Sequence, residues 1–94
     1  MWQVYIIQTK DGRLYTGITS DLARRMKEHE RGRGCRFTKS FGFRKLLYQE
    51  SCLDRKDALR REIQIKRWPK EKKLDLINEV IGKTKIINPL LRIA

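Results

Sequence analysis

Residues 2–17 read WQVYIIQTKDGRLYTG. Residues 2–9 are rich in aromatic and β-branched side chains, the composition of a strand. Lys10-Asp11-Gly12 follows as a turn and residues 13–17 as the returning strand, so the stretch predicts a β-hairpin. Its register is open. A two-residue Asp11-Gly12 turn sets Gln8 opposite Tyr15 and puts Tyr5 and Tyr15 on different faces. A three-residue Lys10-Asp11-Gly12 loop, with Gly12 left-handed, sets Ile7 opposite Tyr15 and Tyr5 opposite Gly17. Tyr5 and Tyr15 then share a face as diagonal neighbours. Tyrosines in strands are most often ordinary sheet aromatics. If these two act together, the second register must hold.

Working outward, Ser20 or Asp21 can cap a helix that runs to about Arg31, where Gly32 ends it. Residues 32–44 read as a basic loop with three Phe and three Gly. Residues 45–51 predict a third strand. Asp54 can cap a helix over residues 55–67, and Pro69 suits the first turn of another, up to Ile81, with Gly82 as its stop. Residues 83–94 form a tail with apolar residues and no firm period. The order β-β-α-β-α-α predicts an α/β (α+β) fold, a small three-stranded antiparallel sheet packed with helices. The expected division is one domain over 1–82 and a tail over 83–94.

The 94 residues carry 23 Lys+Arg against 11 Asp+Glu, a net charge of +12. That surplus favours a polyanionic partner, nucleic acid first, over a merely solvated surface. Apolar runs are too short for a membrane-spanning helix, which needs about 20 residues. The chain starts directly on a strand-like segment without a basic-then-apolar leader, which argues for a cytoplasmic protein. Cys35 and Cys52 are too few for a disulfide scaffold or a four-ligand zinc site and read as reduced apolar residues.

Two helices break their own periodicity. In the second, Ala58, Leu59, Ile63 and Ile65 form the apolar face, and Glu62 falls inside that arc. A carboxylate aimed at a core costs several kcal/mol (about 2–7 for even a neutral polar group) unless paired, protonated or metal-bound. A buried ion pair with an Arg, or a Glu reaching out at the core edge, explains it equally well. In the first helix, Leu22, Ala23 and Met26 form the apolar face, His29 joins it, and Arg25 lies beside His29 at i, i+4 spacing. Such a His is usually a satisfied core residue, and such an Arg a surface cation lying along apolar neighbours.

Taken together, these residues resemble the GIY-YIG nuclease superfamily in its small single-domain (URI-type) bacterial branch. The match begins at Val4-Tyr5-Ile6 and continues at Tyr15-Thr16-Gly17. It runs through Asp21-Leu22-Ala23-Arg24-Arg25, the Arg25-to-His29 spacing, and Ala58-Leu59-Arg60-Arg61-Glu62. It covers about residues 2–80. Val4 and Thr16 replace the motif's Gly and Ile at backbone or packing positions. The family often carries an Asn late in the site, for which Asn78 and Asn88 are both available.

The resemblance implies a divalent-metal-dependent endonuclease acting on DNA, structured or damaged, rather than RNA, with a role in repair or recombination. Tyr5 and Tyr15 would line the site, with Tyr5 the first choice to help deprotonate the attacking water. Arg25 would stabilise charge on the phosphate. His29 would support the pocket by hydrogen bonding or as a proton relay. Glu62 would ligate one Mg²⁺ or Mn²⁺, and Gly17 would serve the motif backbone. A hard cation keeps several waters, so one carboxylate can suffice. A Tyr acting as base needs a nearby metal or Arg to lower its pKa from about 10. Arg24, Arg31, Arg33, Arg36, Lys39 and Arg44 are candidate phosphate contacts. Phe37, Phe41 or Phe43 would stack on bases or, equally, close the core. Without a separate DNA-binding domain, substrate choice rests on this surface or on a partner protein. The alternative is a nucleic-acid-binding module of the same fold with weak or lost cleavage.

Overall fold

The computed structural model describes residues 1–87, with side chains over residues 1–79. Strands β1 (Trp2–Gln8), β2 (Leu14–Thr19) and β3 (Lys45–Cys52) form one antiparallel sheet in the order β2-β1-β3. Helices α1 (Leu22–Glu30) and α2 (Arg36–Phe41) lie between β2 and β3 in the chain, and α3 (Arg55–Lys66) and α4 (Lys70–Ile87) follow β3. None of the described helices is long and apolar enough to cross a membrane.

The hairpin adopts the three-residue loop. Gln8 pairs with Leu14, Ile7 with Tyr15 and Tyr5 with Gly17. The Thr9 amide donates to the Arg13 carbonyl (2.9 Å), the Gly12 amide to the Thr9 carbonyl (3.0 Å), and Gly12 takes φ +87°. Only a glycine enters that left-handed position without steric cost. The turn is tied further by Thr9 Oγ1 donating to Asp11 (2.5 Å) and by an Arg13–Asp11 ion pair (2.8 Å).

Strand alternation then splits the hairpin between two helix layers. Val4 and Ile6 face one side and form a core with Ala58 and Ile65 of α3 and Ile77 of α4. Leu14, Ile18, Leu47, Tyr48 and Trp68 pack around it. A bulge at Leu47, where the β1–β3 register shifts between Ile6 and Ile7, lets Leu47 and Tyr48 both reach that core. Tyr5 and Tyr15 face the other side, against α1 and α2.

The helix ends follow the expected signals. Asp21 and Asp54 cap α1 and α3 by accepting from the amides of Arg24 (3.1 Å) and Asp57 (2.9 Å). Gly32, at φ +72°, stops α1. Three expectations need correction. The segment 32–44 contains the helix α2. Its six residues lack a side-chain N-cap bond, so it depends on packing: Phe37 against Tyr15 (centroids 5.4 Å) and Thr38 against His29. Gly82 does not end α4, which continues to Ile87. A helical glycine costs only about 1 kcal/mol, and the next proline is Pro89. Ile63 is half-exposed rather than core, at 50% exposure, while Ala58 and Ile65 are fully buried.

Candidate active site

The three-residue hairpin loop brings Tyr5 and Tyr15 together, with ring centroids 6.4 Å apart. Gly17 makes this possible. A Cβ there would lie 2.6 Å from Tyr5 Oη and 3.0 Å from Tyr15 Cε2. The missing side chain is the space the Tyr5 ring occupies.

His29 completes the cluster from the last turn of α1. It is 1% exposed, with its ring edge-on to both tyrosines at 5.6 and 5.8 Å. Its Nε2 lies 2.8 Å from Tyr5 Oη, and its Nδ1 lies 3.1 Å from Thr38 Oγ1 on α2. Phe43 stacks on its outer face at 6.2 Å. Gly34 lies against the ring so closely that any Cβ would overlap it. His29 is thus both the satisfied core histidine and a direct partner of Tyr5.

Arg25 and Glu62 bring opposite charges to the same tyrosines. Arg25 Nη1 donates to the Gly34 carbonyl (3.1 Å) and pairs with Glu28 (3.3 Å). Its Nε is buried and has no hydrogen-bond partner among the described residues. The Glu62 side chain is 15% exposed and pairs with Lys66 (3.3 Å), whose ammonium lies 5.7 Å from the Tyr15 ring centre. Its partner is therefore a Lys one turn on, not a buried Arg.

Burial dominates the electrostatics. It holds the Tyr5 hydroxyl well above the usual tyrosine range, with the neighbouring Tyr15 adding to it and Arg25 opposing. Burial, with Cys35 and Glu62, pushes Tyr15 up to about 12. Burial and then the Arg25 charge push His29 down to about 4. At neutral pH both phenols keep their protons and the imidazole is neutral. The Arg25 charge alone does not prepare a phenolate.

Among the described residues no three His, Cys, Asp or Glu side chains form a cage for a metal. A lone carboxylate whose charge reaches Tyr5 and Tyr15 does fit a hard cation that keeps most of its waters. Glu62 is the residue that would hold it.

The candidate phosphate contacts divide into two groups. Arg31, Arg33, Arg36 and Lys39 line one concavity of about 730 Å³ with Gly32 and Cys35, and none of the four makes an ion pair among the described residues. Arg24 and Arg44 are exposed but outside that lining. Phe37 packs on Tyr15 and Phe43 on His29, while Phe41 packs on Phe37 with Arg13 over it at 4.1 Å. They close the site rather than stand free. Asn78 is exposed on α4, next to Ile77 of the opposite-face core, and Asn88 lies outside the described residues.

Two partners are invisible in the sequence pattern. Thr38 holds His29 from a segment that reads as loop, and the Gly34 carbonyl holds Arg25. Neither residue type advertises such a contact; only the close glycine spacing at 32 and 34 hints at a tight backbone approach.

The family model of the GIY-YIG catalytic domain matches residues 1–75. A UPF0213 protein from Desulfotalea psychrophila is 46% identical over 77 residues, covering 81% of this chain and 70% of that protein. A UPF0213 protein from Staphylococcus saprophyticus is 42% identical over 76 residues, covering 81% and 93%. The solution NMR structure of a UPF0213 protein from Bacillus halodurans is 38% identical, with a TM-score of 0.52 over 83% of this chain and 84% of that one. On motif, fold and relatives alike, the chain belongs to the GIY-YIG catalytic-domain family, a nuclease-type fold.

Proposed function

We propose that the protein is a divalent-metal-dependent endonuclease that hydrolyses phosphodiester bonds in DNA. The observation that carries this is the 2.8 Å contact between Tyr5 Oη and His29 Nε2, made inside the combined fields of Arg25 and Glu62. A packing role alone asks for neither a buried imidazole on a buried phenol nor charges aimed at them.

The chain's own residues divide the work. Tyr5 takes a proton from the attacking water as it passes its own to His29 Nε2. The water oxygen bonds to phosphorus while the bond to the leaving sugar oxygen breaks; that oxygen takes a proton from solvent, and His29 returns its proton through Tyr5 to solvent. Tyr15 orients the water from the diagonal position. Arg25, whose side chain is one-third exposed, offers its guanidinium to a non-bridging phosphate oxygen as charge develops there. Burial keeps the Tyr5 proton on and His29 neutral, so the relay is poised but uphill until charge arrives. When bound at Glu62, a Mg²⁺ or Mn²⁺ ion would supply that positive charge and lower the pKa of nearby water. Gly17 leaves the room that Tyr5 needs.

Arg31, Arg33, Arg36 and Lys39, in their shared concavity, follow the backbone away from the scissile phosphate, with Arg24 and Arg44 as outlying contacts. The enzyme works in the cytoplasm on structured or damaged DNA, chosen by this basic surface or by a partner protein that brings the enzyme to it.

The test is incubation with supercoiled plasmid and branched DNA, with Mg²⁺ or Mn²⁺, beside Glu62→Ala and Arg25→Ala. Metal-dependent cutting that both substitutions abolish, with binding retained, is expected. No cutting on any substrate, with salt-sensitive binding intact, would replace the nuclease by a binding module. Cutting that survives both substitutions would overturn the assigned site.

A further inference from the structure

We infer that Thr38 is a positioning residue: its hydroxyl sets which nitrogen of His29 carries the proton, and so makes His29 an acceptor toward Tyr5. The hydrogens along one buried chain decide this. Tyr5 Oη, His29 Nε2, His29 Nδ1 and Thr38 Oγ1 follow one another at 2.8 and 3.1 Å across the ring. Thr38 Oγ1 also lies 3.3 Å from the Cys35 carbonyl, which can only accept, and 3.6 Å from the Cys35 thiol, a weak donor that Thr38 can accept from while giving its own hydrogen to the carbonyl.

Each hydroxyl has one hydrogen and the neutral ring has one. If Thr38 gives its hydrogen to the Cys35 carbonyl, its lone pairs face the ring, and Nδ1 carries the proton. Nε2 is then bare and takes the Tyr5 hydrogen. All three hydrogens are paired. In the reverse arrangement Thr38 donates to Nδ1, and Nε2–H donates to Tyr5 Oη. The Tyr5 hydrogen then has no protein acceptor among the described residues, and at 2% exposure Tyr5 meets bulk water poorly. Leaving a buried donor unmade is the costly choice.

The burial of His29 agrees with this, because a neutral ring is the only form with a tautomer to choose. The consequence is directional. With Nδ1–H held by Thr38, a proton can move from Tyr5 to His29. With Nε2–H, the same contact would block that transfer. Thr38 sits on α2, the helix that packing rather than capping holds in place, so the Phe37–Tyr15 contact and the His29 tautomer depend on the same six residues.

The cleavage half of this inference rests on the nuclease reading; the tautomer half does not. The experiment reads ring nitrogen shifts of uniformly ¹⁵N-labelled full-length protein at neutral pH, through two-bond proton–nitrogen correlations that distinguish Nδ1–H from Nε2–H. Wild type and Thr38→Ser are expected to show Nδ1–H. Thr38→Val, close in shape but without the hydroxyl, is expected to shift His29 toward Nε2–H. Nε2–H in the wild type overturns the inference, and so does an unchanged tautomer in folded Thr38→Val. If Thr38→Val does not fold, the wild-type tautomer still decides. In cleavage, Thr38→Val should lower kcat about 10²-fold with KM unmoved, and Thr38→Ser should recover most of the rate. Nδ1–H without any cleavage by wild type would retain the Thr38 assignment and sink the nuclease; cleavage with Nε2–H would do the reverse.

Discussion

Gly17→Ala isolates the steric basis of the site. The added Cβ would sit 2.6 Å from Tyr5 Oη and 2.7 Å from Tyr5 Cζ, where ordinary contacts begin at 3.4 Å. Tyr5 must retreat by several tenths of an ångström, yet it is 2% exposed and held by its neighbours. Close-packed interiors resist such insertions at about 1–3 kcal/mol. Retreat also strains or breaks the 2.8 Å contact with His29, worth about 0.5–1.5 kcal/mol. Together these give a destabilisation of about 2–4 kcal/mol, or roughly 10–25 °C in Tm for a chain of this size. The control is Gly12→Ala, where nothing lies within 4 Å of the new Cβ and only the left-handed backbone resists, at about 1–2 kcal/mol. Thermal unfolding measures both destabilisations, and the His29 ring resonances report whether the Tyr5 hydrogen bond survives. Gly17→Ala should break that bond and Gly12→Ala should keep it. A Gly17→Ala protein melting within about 2 °C of wild type, with His29 resonances unchanged, would refute the steric account.

Other expectations follow from the same geometry. His29 is held near 4, below its ordinary 6.5, so the unfolded chain takes up a proton that the folded chain refuses. Stability should therefore be full above about pH 6.5 and fall as pH drops toward 4, by up to about 3 kcal/mol, in urea titrations. A flat profile across that window would contradict the buried neutral ring. In α3, Ile65→Ala should cost about 2–4 kcal/mol and Ile63→Ala below about 1, since the first is fully buried and the second half-exposed. Equal costs would mean the helix is rotated from its described phase. Arg33→Ala with Arg36→Ala should weaken DNA binding and flatten its dependence on log salt by about one unit for each phosphate no longer neutralised, with kcat on saturating DNA retained. An unchanged salt slope would remove the concavity from the DNA path.

Much of the fold is local and therefore readable in the sequence. Asp21 and Asp54 cap their helices through their own side chains, Gly32 stops α1 by its left-handed backbone, and alternation marks the hairpin. These signals act within a few residues, and the neighbouring chemistry decides them. The parts that read differently lack such signals. α2 is six residues without a cap bond and exists because Phe37 and Thr38 find Tyr15 and His29 from other elements. Gly82 could end a helix or sit inside one, and its own sequence does not choose.

The site divides the same way. The sequence alone names Tyr5, Tyr15, Arg25, His29 and Glu62: His29 and Glu62 because they fall on apolar helix faces, Tyr5, Tyr15 and Arg25 because they match the family's motif. It leaves open whether the tyrosines share a face, whether His29 is merely a core residue, and whether Glu62 pairs with an Arg. Those answers depend on register and on packing between elements far apart in the chain. A shift of one residue in the hairpin would have turned Tyr15 to the opposite face. Tertiary structure settles it by closing a three-residue loop at Gly12, setting Tyr5 into the gap left by Gly17, and placing Thr38 against the far side of His29.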